Sequence, residues 1–475
     1  MRIPFRSAPT TRKAKPTTTR LRQTTSHVSV RVHKHSQIDS TSLYPYQKTG
    51  AEWLRSRDFA LNADDMGLGK SAQFLRALDP HDRVILVCPA GLRLNWLAEI
   101  NGPLSYPRPA QGWRPDLRAR IVTNVYEQDY LPRAGEIVIM SYEALPDPIS
   151  KSALFPDNLR DVTLGGDEIH YTKNPDAKRT KRFRALRSQV RRTWGMTGTP
   201  LPSRPLDLYG VLETLGLLKE TFGNWKKFSD HFQGKQDIFG NWHFGKKRKG
   251  EWRIDPKRLA EARDILAPIM LRRMKKDVLP DLPPKIYTEL LVEIEPTPAI
   301  VRADKEWLLY GAEEMPPFEM LSEARRHMAD AKIPALLETV NRFEETEQSL
   351  LVFSAHVAPI HALSRRPGWG VILGETPTKE RDRVVKAFQA GELRGLGLTI
   401  KAGGVGLTLT AASNCLFVDQ EYNPSDNEQA EDRMNRIGQK AKGLNVYTLV
   451  ADHPLDKRIH QILREKQRVI SGVLG

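Results

Sequence analysis

The sequence predicts an α/β protein of two lobes, each built on a parallel sheet, with helical insertions and a disordered basic tail ahead of them. Three observations predict it. From about Leu43 onward, short β-branched runs alternate with helical stretches, as a parallel sheet with covering helices requires. The runs fall into two groups, at 84–88, 137–140 and 162–164, then at 350–353, 371–373, 397–400 and 415–418. At 475 residues the chain also exceeds the size at which one hydrophobic core keeps growing. The boundaries expected are a tail at 1–42, a first lobe at 43–280 with a helical insertion at about 206–275, and a second lobe at 281–475 with a helical linker at about 285–345.

Residues 1–40 hold nine Lys or Arg against a single acid, Asp39, and cannot bury enough apolar surface to order themselves. Three readings stay open for them: an arm that clings to DNA, an organelle transit peptide, and a solvated tail. The whole chain carries 73 Lys and Arg against 57 Asp and Glu, a formal charge of +16 that favours a polyanionic partner. Cys88 and Cys415 are too few for a disulfide framework and lack the paired spacing of a zinc site. No apolar run approaches the ~18 residues of a membrane span, so a soluble intracellular protein is expected.

The strongest local signal is DDMGLGKS at 64–71, set between an apolar segment and a predicted helix. In such a loop small residues bring backbone N–H groups close to phosphate oxygens, and the helix N-terminus adds partial positive charge. Asp65, Met66, Gly67, Leu68 and Gly69 would line the phosphates, Lys70 would hold the β- and γ-phosphates of ATP, and Ser71 would ligate Mg2+. The strict GxxxxGK[ST] pattern fails at its first position, where Asp64 replaces glycine. A glycine turn before a helix is the plain alternative.

Downstream, DEIH at 167–170 follows the run at 162–164. Asp167 would hold the magnesium ion while Glu168 orients and deprotonates an attacking water, which is why the two acids must be adjacent at a strand end. Standing alone they would read as a solvated loop, but they follow a lysine-bearing loop. Gly165 and Gly166 stand where an apolar strand would ordinarily run straight into the acids, which leaves open a loosened metal site or no consequence at all.

DDMGLGKS and DEIHYTKN resemble motifs I and II of Swi/Snf-type DNA-dependent ATPases, whose cores pair two RecA-like lobes. Asp64 is that family's own departure from the strict loop. LYPYQKTG at 43–50 is similar to the adenine-reading Q motif through Gln47, whose carboxamide offers both a donor and an acceptor. VCPAGLRLNW (87–96), VIMSYEAL (138–145) and GMTGTPLPSRPLDLYG (195–210) are similar to motifs Ia, Ib and III. The likeness continues through LRRMKKDVLPDLPPK (271–285) and LLVFSAHVAPI (350–360) to KAGGVGLTLTAAS (401–413) and QAEDRMNRIGQ (429–439). An ordered series of this kind is more specific than any single motif.

At helical spacing Gln429, Arg433 and Arg436 share one face, beside an apolar stripe of Ala430, Met434 and Ile437. A bare arginine pair on a helix is more often a solvated face. The resemblance implies instead that both arginines stabilise the γ-phosphate as it transfers, with Gln429 and Gly406 also at the nucleotide. It further implies backbone contacts to DNA by Arg93, Ser141, Thr197, Thr199, Ser354, Lys401, Gly404 and Thr408, with little sequence preference.

Between 222 and 253 aromatic residues interleave with a glycine-bounded basic run, Lys246, Lys247, Arg248 and Lys249. The helical spacing of Phe222, Trp225, Phe228 and Phe232 suits a small core. The basic run suits a hairpin tip that reaches the phosphates or minor groove. Here the chain is similar to the annealing-helicase and fork-remodelling subgroup. The resemblance implies a monomeric DNA-stimulated ATPase that needs ATP and Mg2+, moves on double-stranded or branched DNA, and works with DNA-repair or replication proteins. A strand-separating DNA or RNA helicase and a catalytically silent DNA-binding scaffold are the rival readings.

Overall fold

The computed structural model describes residues 43–102, 112–123, 131–146, 159–198, 205–238, 240–248, 251–309, 318–403, 407–436 and 438–474. The basic tail lies outside them. The first sheet joins β1 (Phe59–Asn62), β2 (Arg83–Cys88), β3 (Arg118–Val122), β4 (Glu136–Ser141), β5 (Val162–Asp167), β6 (Arg192–Met196) and β11 (Met270–Leu271). Its order is β11-β1-β6-β5-β2-β4-β3, with parallel pairing throughout. The second sheet joins β12 (Lys285–Val292), β13 (Leu350–Ser354), β14 (Trp369–Ile372), β15 (Gly395–Thr399), β16 (Asn414–Phe417) and β17 (Leu444–Ala451). Its order is β12-β17-β16-β13-β15-β14, again all parallel. Both sheets belong to one compact unit, Ser40–Gly475.

Strands buried on both faces read as near-continuous apolar runs, and β2, β4, β5, β13, β15 and β16 are buried almost end to end. Six of the seven strand groups expected from the sequence coincide with these, and the seventh with β14. The edge strands β3 and β12 are far more exposed, so their charged and alternating sequences carry a weaker signal. One face of the first sheet is covered by Phe74, Trp96 and Trp194, which meet edge to face with ring centroids 5.8 Å apart. Phe183, Phe222, Phe228 and Phe232 are buried against the other face. The small core expected from the aromatic spacing is therefore present, with Trp225 half-buried at its rim against Tyr209 and Trp242.

Three expectations need correcting. The insertion is not wholly helical: β7 (Lys235–Gln236) pairs with β8 (Trp242–His243), and β9 (Lys246–Arg248) with β10 (Glu251–Arg253), both antiparallel. β11 returns to the first sheet beside β1, inside the stretch read as insertion. Lys285–Val292, read as the start of a helical linker, is the edge strand β12, and the helices Pro298–Leu309, Phe318–Ala331 and Ile333–Glu345 follow it. The chain therefore passes from one sheet to the other between Leu271 and Lys285, through the short helix Lys275–Val278.

Gly165 and Gly166 also have a packing reason. A Cβ on Gly165 would lie 2.6 Å from the Phe74 ring, and one on Gly166 would lie 2.8 Å from Ile169 and 3.0 Å from the Phe183 ring. The strand that delivers the acids is pressed from both faces, and only glycine fits there. Among the described residues no helix is long and apolar enough to cross a membrane.

Candidate active site

Parallel α/β sheets bind ligands beyond the carboxyl ends of their strands. The loop after β1 contains Gly67 and Gly69, whose φ values of 78° and 74° only glycine adopts without strain. Lys70 and Ser71 then open the helix Lys70–Ala77. The Lys70 ammonium donates to the carbonyls of Asp64 at 2.8 Å and Asp65 at 3.1 Å, and burial lowers its pKa. Asp64 is wholly buried and accepts from Gln73 Nε2 at 3.0 Å, from Arg273 N at 3.1 Å and Nε at 3.0 Å, and from Arg273 Nη2. The missing glycine is thus explained: its place is taken by a carboxylate that ties the 271–285 segment to the loop. Gln47 donates to the Leu68 carbonyl at 3.1 Å and accepts from Tyr44 N at 3.0 Å. Its carboxamide, expected at an adenine, is used here to brace the loop.

Asp167 ends β5 and Glu168 follows it. The Asp167 carboxylate accepts from Trp96 Nε1 at 2.7 Å and from Glu168 N at 3.0 Å, while Tyr142 OH donates to its carbonyl at 2.8 Å. Burial, and then the charge of Glu168, push the Asp167 carboxyl up to about 7. Glu168 adopts φ 49° and ψ 49°, left-handed backbone that is uncommon for a non-glycine residue and clusters at functional sites. Burial works against its ionisation, but His170, Lys70 and Arg433 outweigh burial and hold its pKa below the usual value. His170 Nδ1 lies 3.3 Å from Glu168 and 2.9 Å from the Thr197 hydroxyl beyond β6. Trp96, Tyr142 and His170 went unassigned in the sequence reading, although each lies inside or beside a quoted motif.

The second lobe completes the arrangement. Gln429 Nε2 donates to Glu168 Oε1 at 3.1 Å, directly across the seam. Arg433 is 2% exposed; burial and Arg436 lower its pKa to about 9, with Glu168 and Asp432 opposing. Arg436 donates to the Thr408 hydroxyl at 3.1 Å and to the Asp432 carbonyl at 3.2 Å. A Cβ built on Gly67 would meet Lys275 Cε at 3.4 Å, Arg436 Cγ at 3.6 Å and the Asn435 carbonyl at 3.8 Å, so the phosphate loop and the arginine segment touch. The shared helical face expected for Gln429, Arg433 and Arg436 is not observed. The helix Pro424–Glu431 ends before the arginines, which lie in the turns that follow, although Ala430 and Met434 do reach the core of the second sheet. Ile437 lies outside the described residues.

Residues 46–299 match the model of the SNF2-related domain. This chain belongs to the SNF2-related family. Residues 331–438 match the helicase conserved C-terminal domain. The DNA annealing helicase and endonuclease ZRANB3 of Mus musculus is 28% identical over 92% of this chain and 41% of its own length. An uncharacterized ATP-dependent helicase of Mycoplasma pneumoniae is 27% identical over 93% and 43%. The SWI/SNF-related matrix-associated actin-dependent regulator of chromatin subfamily A-like protein 1 homolog of Caenorhabditis elegans is 28% identical over 91% and 62%. The chain spans less than half the length of the first two of these curated relatives. The Sulfolobus solfataricus SWI2/SNF2 ATPase core in complex with dsDNA is 22% identical, covering 91% of this chain and 94% of that one at a TM-score of 0.42.

Within this SNF2-related chain the residues expected to touch DNA divide. Lys246 and Lys247 are exposed on the β9–β10 hairpin, which also holds Arg248. Lys401 is exposed, 3.2 Å from Glu421, and Arg93 opens the helix Arg93–Asn101 with its side chain partly exposed. Ser141, Thr197 and Ser354 are buried instead. The Ser141 hydroxyl accepts from Ala144 N, that of Thr197 meets His170, and that of Ser354 donates to Asp419. Thr408 faces Arg436, on the seam side. A hydroxyl at a buried strand end satisfies its own neighbourhood first, as those of Ser141, Thr197 and Ser354 do, whereas Thr408 is half-buried. Thr199, Lys249, Gly404 and Gly406 lie outside the described residues.

Proposed function

We propose that this chain is an ATPase stimulated by double-stranded DNA, which converts hydrolysis into movement along the duplex and so remodels branched DNA or protein–DNA complexes. One observation carries the reading. A lysine-bearing loop and an acid pair from one lobe meet a glutamine and two arginines from the other at a single seam, where Gln429 touches Glu168. A site so divided works only when the lobes are together, which makes turnover and relative lobe motion the same event. The names of the relatives, an annealing helicase and an ATP-dependent helicase, point the same way.

The residues present fit ATP and magnesium. The loop offers glycines with left-handed backbone and an ammonium that donates to two of the loop's carbonyls, and the acid pair carries a carboxyl raised to about 7 by burial and by Glu168. Ser71 and Asp167 would hold the magnesium ion, which when bound supplies charge neutralisation at the phosphates. Lys70 would hold the transferring end of the nucleotide. Glu168, kept ionised beside His170, would orient a water and take its proton. Arg433 and Arg436 would neutralise charge that develops in the transition state. Lys401, Arg93 and the β9–β10 hairpin would grip phosphates without reading bases. One chain supplies both lobes, so a monomer suffices.

ATP turnover measured with duplex DNA, RNA and no polymer tests the proposal, with strand displacement and triplex displacement assayed side by side. Turnover stimulated by duplex DNA, with triplex but not strand displacement, is expected. Equal turnover in all three conditions would overturn the DNA-dependent reading, and strand displacement would favour the rival helicase.

A further inference from the structure

Two lysines of the segment that joins the sheets, Lys275 and Lys285, reach the same acid. Lys275 Nζ lies 2.7 Å from Asp432 Oδ2, and Lys285 Nζ lies 2.8 Å from Asp432 Oδ1 and 2.9 Å from Glu431 Oε2. Their surroundings differ. Lys285 opens β12, so its pairs with Glu431 and Asp432 stay within the second lobe. Lys275 sits beside the first lobe, where its backbone N–H donates to Asp65 Oδ2 at 3.2 Å. The preceding residues are bound to the same loop: Arg273 to Asp64, and Arg272 Nη1 to the carbonyls of Ala63 at 2.7 Å and Gly198 at 2.9 Å.

From that anchorage the Lys275 side chain crosses the seam. It passes Gly67, where its Cε would lie 3.4 Å from an added Cβ, and its ammonium donates to the Asn435 carbonyl at 3.0 Å. Asn435 directly precedes Arg436, and Asp432 directly precedes Arg433. We propose that Lys275 is a positioning residue for hydrolysis: it fastens the turn that bears Arg433 and Arg436 to the phosphate loop and so sets where the arginines stand. The inference rests on the ATPase reading above.

The electrostatics agree with this geometry. Burial works against both lysines, and burial also works against ionised Asp432, yet Lys275 and Lys285 together hold that carboxyl down to about 2. Asp432 therefore stays charged, and Lys285, shared with Glu431, keeps one cation beside it if Lys275 is lost. Removing the Lys275 ammonium should loosen the seam, while Lys285 still offsets part of the buried charge of Glu431 and Asp432.

The test is Lys275→Met, with Lys275→Arg as the conservative variant, in the full chain. Steady-state ATP turnover is measured with saturating duplex DNA, and the inter-lobe distance by energy transfer between dyes at Lys178→Cys and Glu392→Cys, both exposed positions. For Lys275→Met, kcat should fall about ten-fold or more, because small misplacements of catalytic groups carry large rate costs. The KM for ATP should stay within about three-fold, since only transition-state contacts are lost. Lys275→Arg should recover part of kcat, and the inter-lobe distance of Lys275→Met without nucleotide should lengthen or broaden. An unchanged kcat in an active protein overturns the proposal. So does an inter-lobe distance equal to that of the parent chain. If the parent itself hydrolyses no ATP, the ATPase reading fails on its own, and the distance measurement still decides whether Lys275 fastens the lobes.

Discussion

On the first lobe's side of the seam, Asp64, Asp167 and Glu168 are each tied into the sheet that carries them: Asp64 by Gln73 and Arg273, Asp167 by Trp96 and Tyr142, and Glu168 by His170. On the second lobe's side, Arg433 and Arg436 leave the end of a helix, and their turn is held both within that lobe, by Thr408, Lys285 and the buried Met434, and across the seam, by Lys275. The first half of the site is preorganised by its own core. The second half takes part of its placement from contact with the first, as expected of a site that assembles and disassembles with each cycle.

The largest effects should come from removing either half's charge. Lys70→Ala and Arg436→Ala should each lower DNA-stimulated kcat by on the order of 1000-fold, with DNA binding retained in a filter or anisotropy assay. If Arg436→Ala hydrolyses ATP normally, the seam is not the site and the comparison collapses.

Next is Asp64→Gly, which restores the strict glycine loop by sequence yet takes the carboxylate partner from the half-buried Arg273. It should destabilise the chain by about 2–3 kcal/mol, seen as a lower melting temperature. A variant as stable as the parent would mean that the first half is less tightly built than the hydrogen bonds imply.

Gly165→Ala should cost about 1–3 kcal/mol by overpacking against Phe74, with a smaller drop in melting temperature. An unchanged melting temperature would show the strand that delivers the acids to be softer than its packing.

The smallest effect concerns protons. With its carboxyl raised to about 7, Asp167 is protonated in the folded chain where an unfolded aspartate, near 3.9, is already ionised. Its stabilising contribution is therefore present at low pH and is lost as pH rises from about 4 to 7. Divalent-cation affinity should move the opposite way and strengthen from pH 6 to pH 8. Isothermal titration with Mg2+ across that range checks it, and Trp96→Phe should move the midpoint upward, because the lost N–H helps to hold the carboxylate ionised. A pH-independent affinity would remove Asp167 from the metal site.

Much of this was legible in order along the chain. The central strands are apolar because both of their faces are covered, and the loop at 64–71 and the acids at 167–168 carry chemistry in adjacent residues. The strand β17, with VYTLVA, had a local signal that the reading passed over, whereas β1, β6 and β11 are too short, or too interrupted by glycine and tryptophan, to stand out.

The sequence by itself determined the two parallel-sheet lobes, the family and the residue types of the site, because short-range patterns of apolar, glycine and charged residues encode them. Only the tertiary structure decided that Asp64 pairs with Arg273, that Gln47 braces the loop, that Ser354 is buried, and that Lys275 spans the seam to Asp432. Those partners lie up to 209 residues apart, and no local spacing reports which distant charge a buried group will meet.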